Sequence, residues 1–180
     1  MSKVPWKEEA MIPGYGNEQA KFVIVGEAPG AEEEKAWRPF VGYSGKVLYK
    51  ALEEAGISPD ECYFTNVVKV KLPKNRTPTN EEISYWSITL FNELMTIQPM
   101  AIVTLGGTAA KALWSTAKLP KLRDIRGHVI AFGPSFWIPT YHPSYLRRSK
   151  TAQVEFVKDL ILARETIETP PNHILSTLSR

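Results

Sequence analysis

Phe22-Val23-Ile24-Val25-Gly26-Glu27-Ala28-Pro29-Gly30 opens with four apolar, strand-forming residues and closes on a carboxylate held between two glycines and a proline. The apolar run predicts a buried strand. The glycines and the proline predict a stiff turn at its end, because glycine lets the backbone approach a bound group and proline fixes one torsion. Glu27 is thereby delivered to the edge of a sheet. Further on, Arg38-Pro39-Phe40-Val41-Gly42 sets an aromatic ring in a second rigid loop, just before a helix that starts near Ser44. A carboxylate and a ring on loops off one strand end point to a pocket for something flat.

Composition narrows the class. The 180 residues are 43% hydrophobic, enough for a full core, and the reading is a single domain over 1–180 with an irregular leader at 1–20 and a loose tail at 170–180. No apolar run nears the roughly 20 residues that span a bilayer, and residues 1–16 lack the apolar core of a secretory signal. The expectation is a cytoplasmic protein with no membrane contact. Cys62 is the single cysteine, which excludes an intrachain disulfide and any site built from several thiolates of one chain. It reads as a small strand residue. The net charge of +3 is unevenly spread, since residues 101–150 hold eight Lys or Arg against one acid, Asp124. Such a segment is either solvated surface or a face for a polyanion.

Strands are predicted at 22–25, 62–68, 101–105 and 136–140. A helix over 44–55 carries Val47, Leu48, Ala51, Leu52 and Ala55 on one face, with Gly56 as its cap. Thr79 and Glu82 have the spacing of a capping box, after which Ile83, Trp86, Leu90, Leu94 and Ile97 mark a long amphipathic helix. Further helices are predicted at 108–114 and 151–168. Gly42-Tyr43-Ser44-Gly45-Lys46 lacks the glycine spacing and hydroxyl residue of a phosphate loop, so a nucleotide-triphosphate site is rejected there. Strands alternating with helices argue for a three-layer α/β/α sandwich on a mainly parallel four-stranded sheet, with sites beyond the carboxyl ends of the strands. Glu27, Asn66, Gly106 and His142 all fall at such ends. Asn66 is an amide inside an apolar, β-branched run and needs partners. Tyr141-His142-Pro143-Ser144-Tyr145-Leu146-Arg147-Arg148 places a histidine fixed by a proline before an apolar tip and two arginines.

With these motifs assembled, the chain resembles a uracil-DNA glycosylase of the superfamily's family 4 type. The matching residues are Gly26-Glu27-Ala28-Pro29-Gly30, Arg38-Pro39-Phe40-Val41-Gly42, Thr65-Asn66-Val67-Val68-Lys69, Asn75-Arg76, Leu105-Gly106 and His142-Pro143-Ser144-Tyr145-Leu146. They span about residues 22–150 in the family's order. The chain departs from the pattern where the family holds a 4Fe–4S cluster. Its leader has no Cys-x-x-Cys, and Val70 and Trp86 stand where the other two cysteines would be expected. The resemblance therefore implies a variant without cluster or other cofactor, in which apolar packing around Val70 and Trp86 ties the same segments together.

The resemblance implies an enzyme that flips uracil out of single- or double-stranded DNA and hydrolyses its glycosidic bond, acting as a monomer. Catalysis would fall to Glu27 at the sugar and His142 at uracil O2. Phe40, Asn66 and Ala28 would hold the base, Asn66 by accepting from N3–H and donating to O4. Leu146 would wedge into the gap, while Lys69, Arg76, Arg126, Ser144, Arg147 and Arg148 would hold the DNA. Two rivals stand beside this reading. One is a DNA-binding relative that lost the reaction and serves as an accessory protein in replication or repair; the other is a small α/β hydrolase of free nucleotides or nucleosides. The presence of both Glu27 and His142 argues against the first, and the basic segment against the second.

Overall fold

The computed structural model describes residues 10–114, 118–170 and, for their backbone, 175–176. The apolar runs at β2 (Phe22–Gly26), β3 (Cys62–Asn66), β4 (Ala101–Leu105) and β6 (Ser135–Thr140) form the parallel centre of one sheet. Side chains alternate across a strand, so each run feeds two layers. Val23 and Val25 of β2 pack on one side with Ile102 and Trp137, under α3 (Asn80–Ile97) and α4 (Gly107–Leu113). Phe22 and Ile24 pack on the other with Phe64, Val103 and Ile138, under α2 (Tyr43–Ala55) and α6 (Lys150–Glu168). This is the expected three-layer sandwich.

The sheet is wider than the four strands expected. Its order is β1-β3-β2-β4-β6-β5-β7, where β1 is Tyr15–Gly16, β5 is Ile130–Phe132 and β7 is Leu175–Ser176. β1 lies antiparallel on β3, β5 antiparallel on β6, and β7 parallel to β5. These edge strands have two or three residues each, too few for an alternating pattern to register in sequence. They also involve parts of the two ends of the chain. The leader contributes β1 and buries Ile12 and Ala20, while residues 175–176 of the tail pair with β5. The expectations for residues 1–9, 171–174 and 177–180 fall outside the described residues.

The helices start and stop as local chemistry dictates. Thr79 and Glu82 form the reciprocal capping box at the start of α3, with Glu82 N–H donating to Thr79 Oγ1 at 3.2 Å and Thr79 N–H to Glu82 Oε2 at 2.8 Å. Two short helices, α1 (Ala31–Ala36) and α5 (Leu122–Ile125), carried no apolar periodicity to predict them. Among the described residues, no helix is long and apolar enough to cross a membrane.

Candidate active site

Because β2, β3, β4 and β6 run parallel, their carboxyl ends open on one edge of the sheet, and a cavity of about 460 Å³ sits there. Glu27, Ala28, Phe40, Asn66, His142 and Ser144 line it, so the predicted catalytic and base-binding residues meet in one place. Gly26 pairs with Asn66 in register, and a Cβ on Gly26 would run into Asn66 Oδ1 and come within 2.7 Å of the Phe40 ring. Only glycine lets these two side chains close over the end of β2. Phe40 itself adopts a left-handed backbone (φ 54°), uncommon for a bulky residue, and its ring packs edge-on against Phe64 at 6.1 Å.

Parallel pairing continues past the end of β3. Val67 N–H donates to Gly26 O and Val68 N–H to Glu27 O, both at 2.9 Å, which fixes the Glu27 backbone relative to Asn66. The carboxylate is held separately: Thr108 Oγ–H donates to Glu27 Oε2 at 2.6 Å. Glu33, on α1, ties the two pocket loops by accepting from the N–H groups of Gly30, Val41 and Gly42 at 3.2, 3.1 and 2.9 Å.

His142 follows β6 and rests on the β4–α4 turn, where Gly106 has φ 89° and a Cβ would stand 3.0 Å from His142 Cβ. Ser144 N–H donates to His142 Nδ1 at 3.1 Å, and Ser144 Oγ lies 2.7 Å from the same nitrogen. A backbone amide can only donate, so Nδ1 accepts and the neutral ring carries its proton on Nε2. Burial lowers the pKa of His142, opposed in part by the charge of Glu27. The cavity thus holds an imidazole whose Nε2 is free to donate and the side chain of Glu27 in one lining.

Three of the residues expected to hold DNA are placed elsewhere. Lys69 is 1% exposed, and its ammonium donates to Thr65 Oγ1 at 2.6 Å and pairs with Glu93 of α3. A lysine just past an apolar strand carried the wrong signal here, because its partner is distant in sequence. Burial lowers the pKa of Lys69 against the pull of Glu93. Arg126 grips Asp159 through Nε and Nη2 at 3.0 and 2.6 Å and covers the Tyr141 ring, so its charge is spent inside the fold. Leu146 is 3% exposed, inserted between α2 and α6, whereas its neighbour Tyr145 is 51% exposed. The loop is a 3₁₀ turn over Pro143–Arg148 that rotates the leucine inward. Arg76 does line the cavity, but both terminal nitrogens engage Glu82 at 2.8 and 2.6 Å, and Arg76 holds Glu82 below the ordinary carboxylate range. Arg147 and Arg148 are exposed, Arg147 with its guanidinium 3.8 Å from the centre of the Tyr43 ring at the cavity rim.

Thr108 and Glu33 escaped the sequence reading. Glu33 had a signal, being the third residue after Gly30 in a helix-start position, but Thr108 had none: its partner Glu27 lies 81 residues away. A second cavity, of about 540 Å³ between α2 and α6, is lined by Val47, Leu146, Phe156 and Val157, with Lys50, Glu54 and Lys158 also in its wall, and contains none of the predicted catalytic or base-binding residues.

The residues present do not fit an iron–sulfur cluster. Val70 and Trp86 are 6% and 2% exposed and pack in the layer beneath α3, with Ala10 and Met11 against it. Cys62 lies in the opposite layer, with its thiol donating to Ser58 O and its pKa pushed up to about 12 by burial. A thiol that resists ionisation, on the wrong side of the sheet from those positions, is a poor ligand.

Comparison with known proteins bears on this site. Residues 13–162 match the model of the uracil DNA glycosylase superfamily. A type-4 uracil-DNA glycosylase of Thermotoga maritima is 41% identical over 145 residues, covering 80% of this chain and 75% of that protein. One from Pyrobaculum aerophilum is 38% identical over 157 residues, covering 84% and 80%, and one from Archaeoglobus fulgidus 35% over 156 residues, covering 82% and 77%.

Proposed function

The chain belongs to the uracil DNA glycosylase superfamily, and on that premise we propose that it is a monofunctional uracil-DNA glycosylase, flipping uracil out of DNA and hydrolysing its N-glycosidic bond to leave an abasic site. The observation that carries this reading is the convergence of Glu27, Phe40, Asn66 and His142 on one cavity. Phe40 stacks on the extruded ring. Asn66 reads its edge, accepting from N3–H and donating to O4, while Ala28 borders the base. As the bond breaks, charge grows on uracil, and His142 donates from Nε2 to O2 as a preorganised electrophile. Glu27 faces the sugar, where its carboxylate orients or deprotonates the attacking water and stabilises the cationic centre. No step needs a metal.

Uracil-containing DNA, single- or double-stranded, is the substrate, and the protein acts on it as a monomer. Arg147, Arg148 and Ser144 lie on the loop beside the cavity and hold the backbone, and the exposed Tyr145 takes the place on that loop first given to Leu146. Excision assays on single- and double-stranded oligonucleotides carrying uracil, hypoxanthine or a thymine mismatch test the reading. Release of uracil by the wild type, lost in Glu27→Gln, is the expected result. DNA binding with no release from any substrate would favour the inert accessory relative, and activity on free nucleosides alone would favour the small hydrolase.

A further inference from the structure

We infer that Thr108 is a positioning residue for catalysis, its hydroxyl locking the Glu27 carboxylate in its working orientation. The inference rests on the glycosylase reading and goes beyond it, to how the site is aligned. Glutamate has three side-chain torsions, and Glu27 stands on a turn whose backbone bonds say nothing about where its carboxylate points. The hydroxyl does. Toward a carboxylate it can only donate, and at 2.6 Å this is a short, charge-assisted bond. With Oε2 engaged by Thr108, Oε1 is left for water or the sugar.

The placement of Thr108 gives the bond a second meaning. Thr108 stands two residues after Gly106, the glycine whose open face takes His142 Cβ. One turn between β4 and α4 therefore sets both reacting groups, His142 by packing and Glu27 by a hydrogen bond. Strands β2 and β6, which deliver these groups, do not touch each other; β4 lies between them. A fixed spacing between carboxylate and imidazole has to be carried by the element that separates their strands. The other titratable or charged groups around Glu27 are His142 across the cavity, Glu32 and Glu33 of α1, and Arg76, which is paired with Glu82. Lys111 of α4 is engaged by Asn80. None of them substitutes for the hydroxyl as a donor to Oε2.

Single-turnover excision and DNA-binding titrations, with Thr108→Val and Thr108→Ser, test this. A hydrogen bond to a charged group supports an expected fall of about ten- to a hundredfold in rate for Thr108→Val, with DNA affinity unchanged. Thr108→Ser keeps the donor and should restore the rate; this variant carries the test even if the valine protein fails to fold. A wild-type rate in Thr108→Val would overturn the inference, as would a serine variant as slow as valine, which would mark the residue as only structural. If the wild type releases no uracil while free Glu27→Gln behaves identically, the glycosylase reading itself falls, a result distinct from an active wild type indifferent to Thr108.

Discussion

Replacing Lys69 by methionine separates a structural role from a DNA-binding one by two measurements that move in opposite senses. In the structure the ammonium is buried with Glu93 and Thr65, and the pair ties the chain just after β3 to α3. Deleting one partner of a buried pair typically costs about 3–5 kcal/mol, since the other charge is left without compensation. Glu93 is 15% exposed and keeps the hydroxyl of Thr65, which places the expected loss at the low end, about 3 kcal/mol. For a chain of this size that lowers Tm by roughly 6–12 °C. The double variant Lys69→Met/Glu93→Leu should recover much of the loss, because no charge is then stranded. A buried lysine contacts no phosphate, so the slope of log K against log salt should not change; a phosphate contact would have reduced it by about 0.9 on duplex DNA. Thermal melts and binding titrations at several salt concentrations give both numbers. A Tm near wild type with a slope reduced by about one would refute the buried-pair account and return Lys69 to the DNA.

Asn66→Ala should leave DNA binding nearly intact and abolish the preference for uracil, because phosphate contacts position while base edges specify; competition between damaged oligonucleotides reads this out. His142→Ala should slow the single-turnover rate by about 10²–10³, or roughly 3–4 kcal/mol, with little change in affinity. Its pKa is lowered in the fold, so the stability tied to the neutral ring is complete above the unfolded value near 6.5 and is lost as pH falls through the depressed value, which a pH series of melts on wild type and His142→Ala resolves. Leu146→Ala should cost about 2–5 kcal/mol in denaturant unfolding, whereas the exposed Tyr145→Ala should leave stability unchanged and weaken DNA binding. Purified protein should be colourless and free of stoichiometric iron by metal analysis and visible absorption.

The central sheet was legible because its four strands are apolar runs bounded by glycine and proline, and the chain order fixed which ends share an edge. Glu27, Asn66, Gly106 and His142 met there for that reason. Gly26 also announced itself, though its reason did not: the need to admit Asn66 and Phe40 at the end of β2 belongs to the register between β2 and β3. Side-chain fate was much less legible. Lys69, Arg126 and Leu146 lie beside recognisable motifs, but whether a charge is spent internally depends on acids such as Glu93 and Asp159 that come from distant helices. Thr108 shows the same limit from the other side, a plain helix residue given its role by a partner elsewhere in the chain.

The corner around Val70 and Trp86 shows how one set of ties can be kept while its chemistry changes. A cluster would join the leader, the chain after β3, and α3. Here the leader is joined by Ile12 N–H donating to Lys69 O at 2.7 Å, α3 by the Lys69–Glu93 pair, and both by the apolar layer that holds Val70 and Trp86. Among the described residues Trp86 Nε1 is buried with no acceptor, so the tie is made by apolar packing and not by a hydrogen bond from the indole. It acts where alignment matters. The same short stretch runs from Asn66 through Val67 and Val68, whose amides hold Gly26 and Glu27, directly into Lys69 and Val70. Loosening the corner would therefore displace Asn66 and the turn that carries Glu27 together, preserving their spacing while shifting both against His142, which is anchored separately after β6 and on the Gly106 turn.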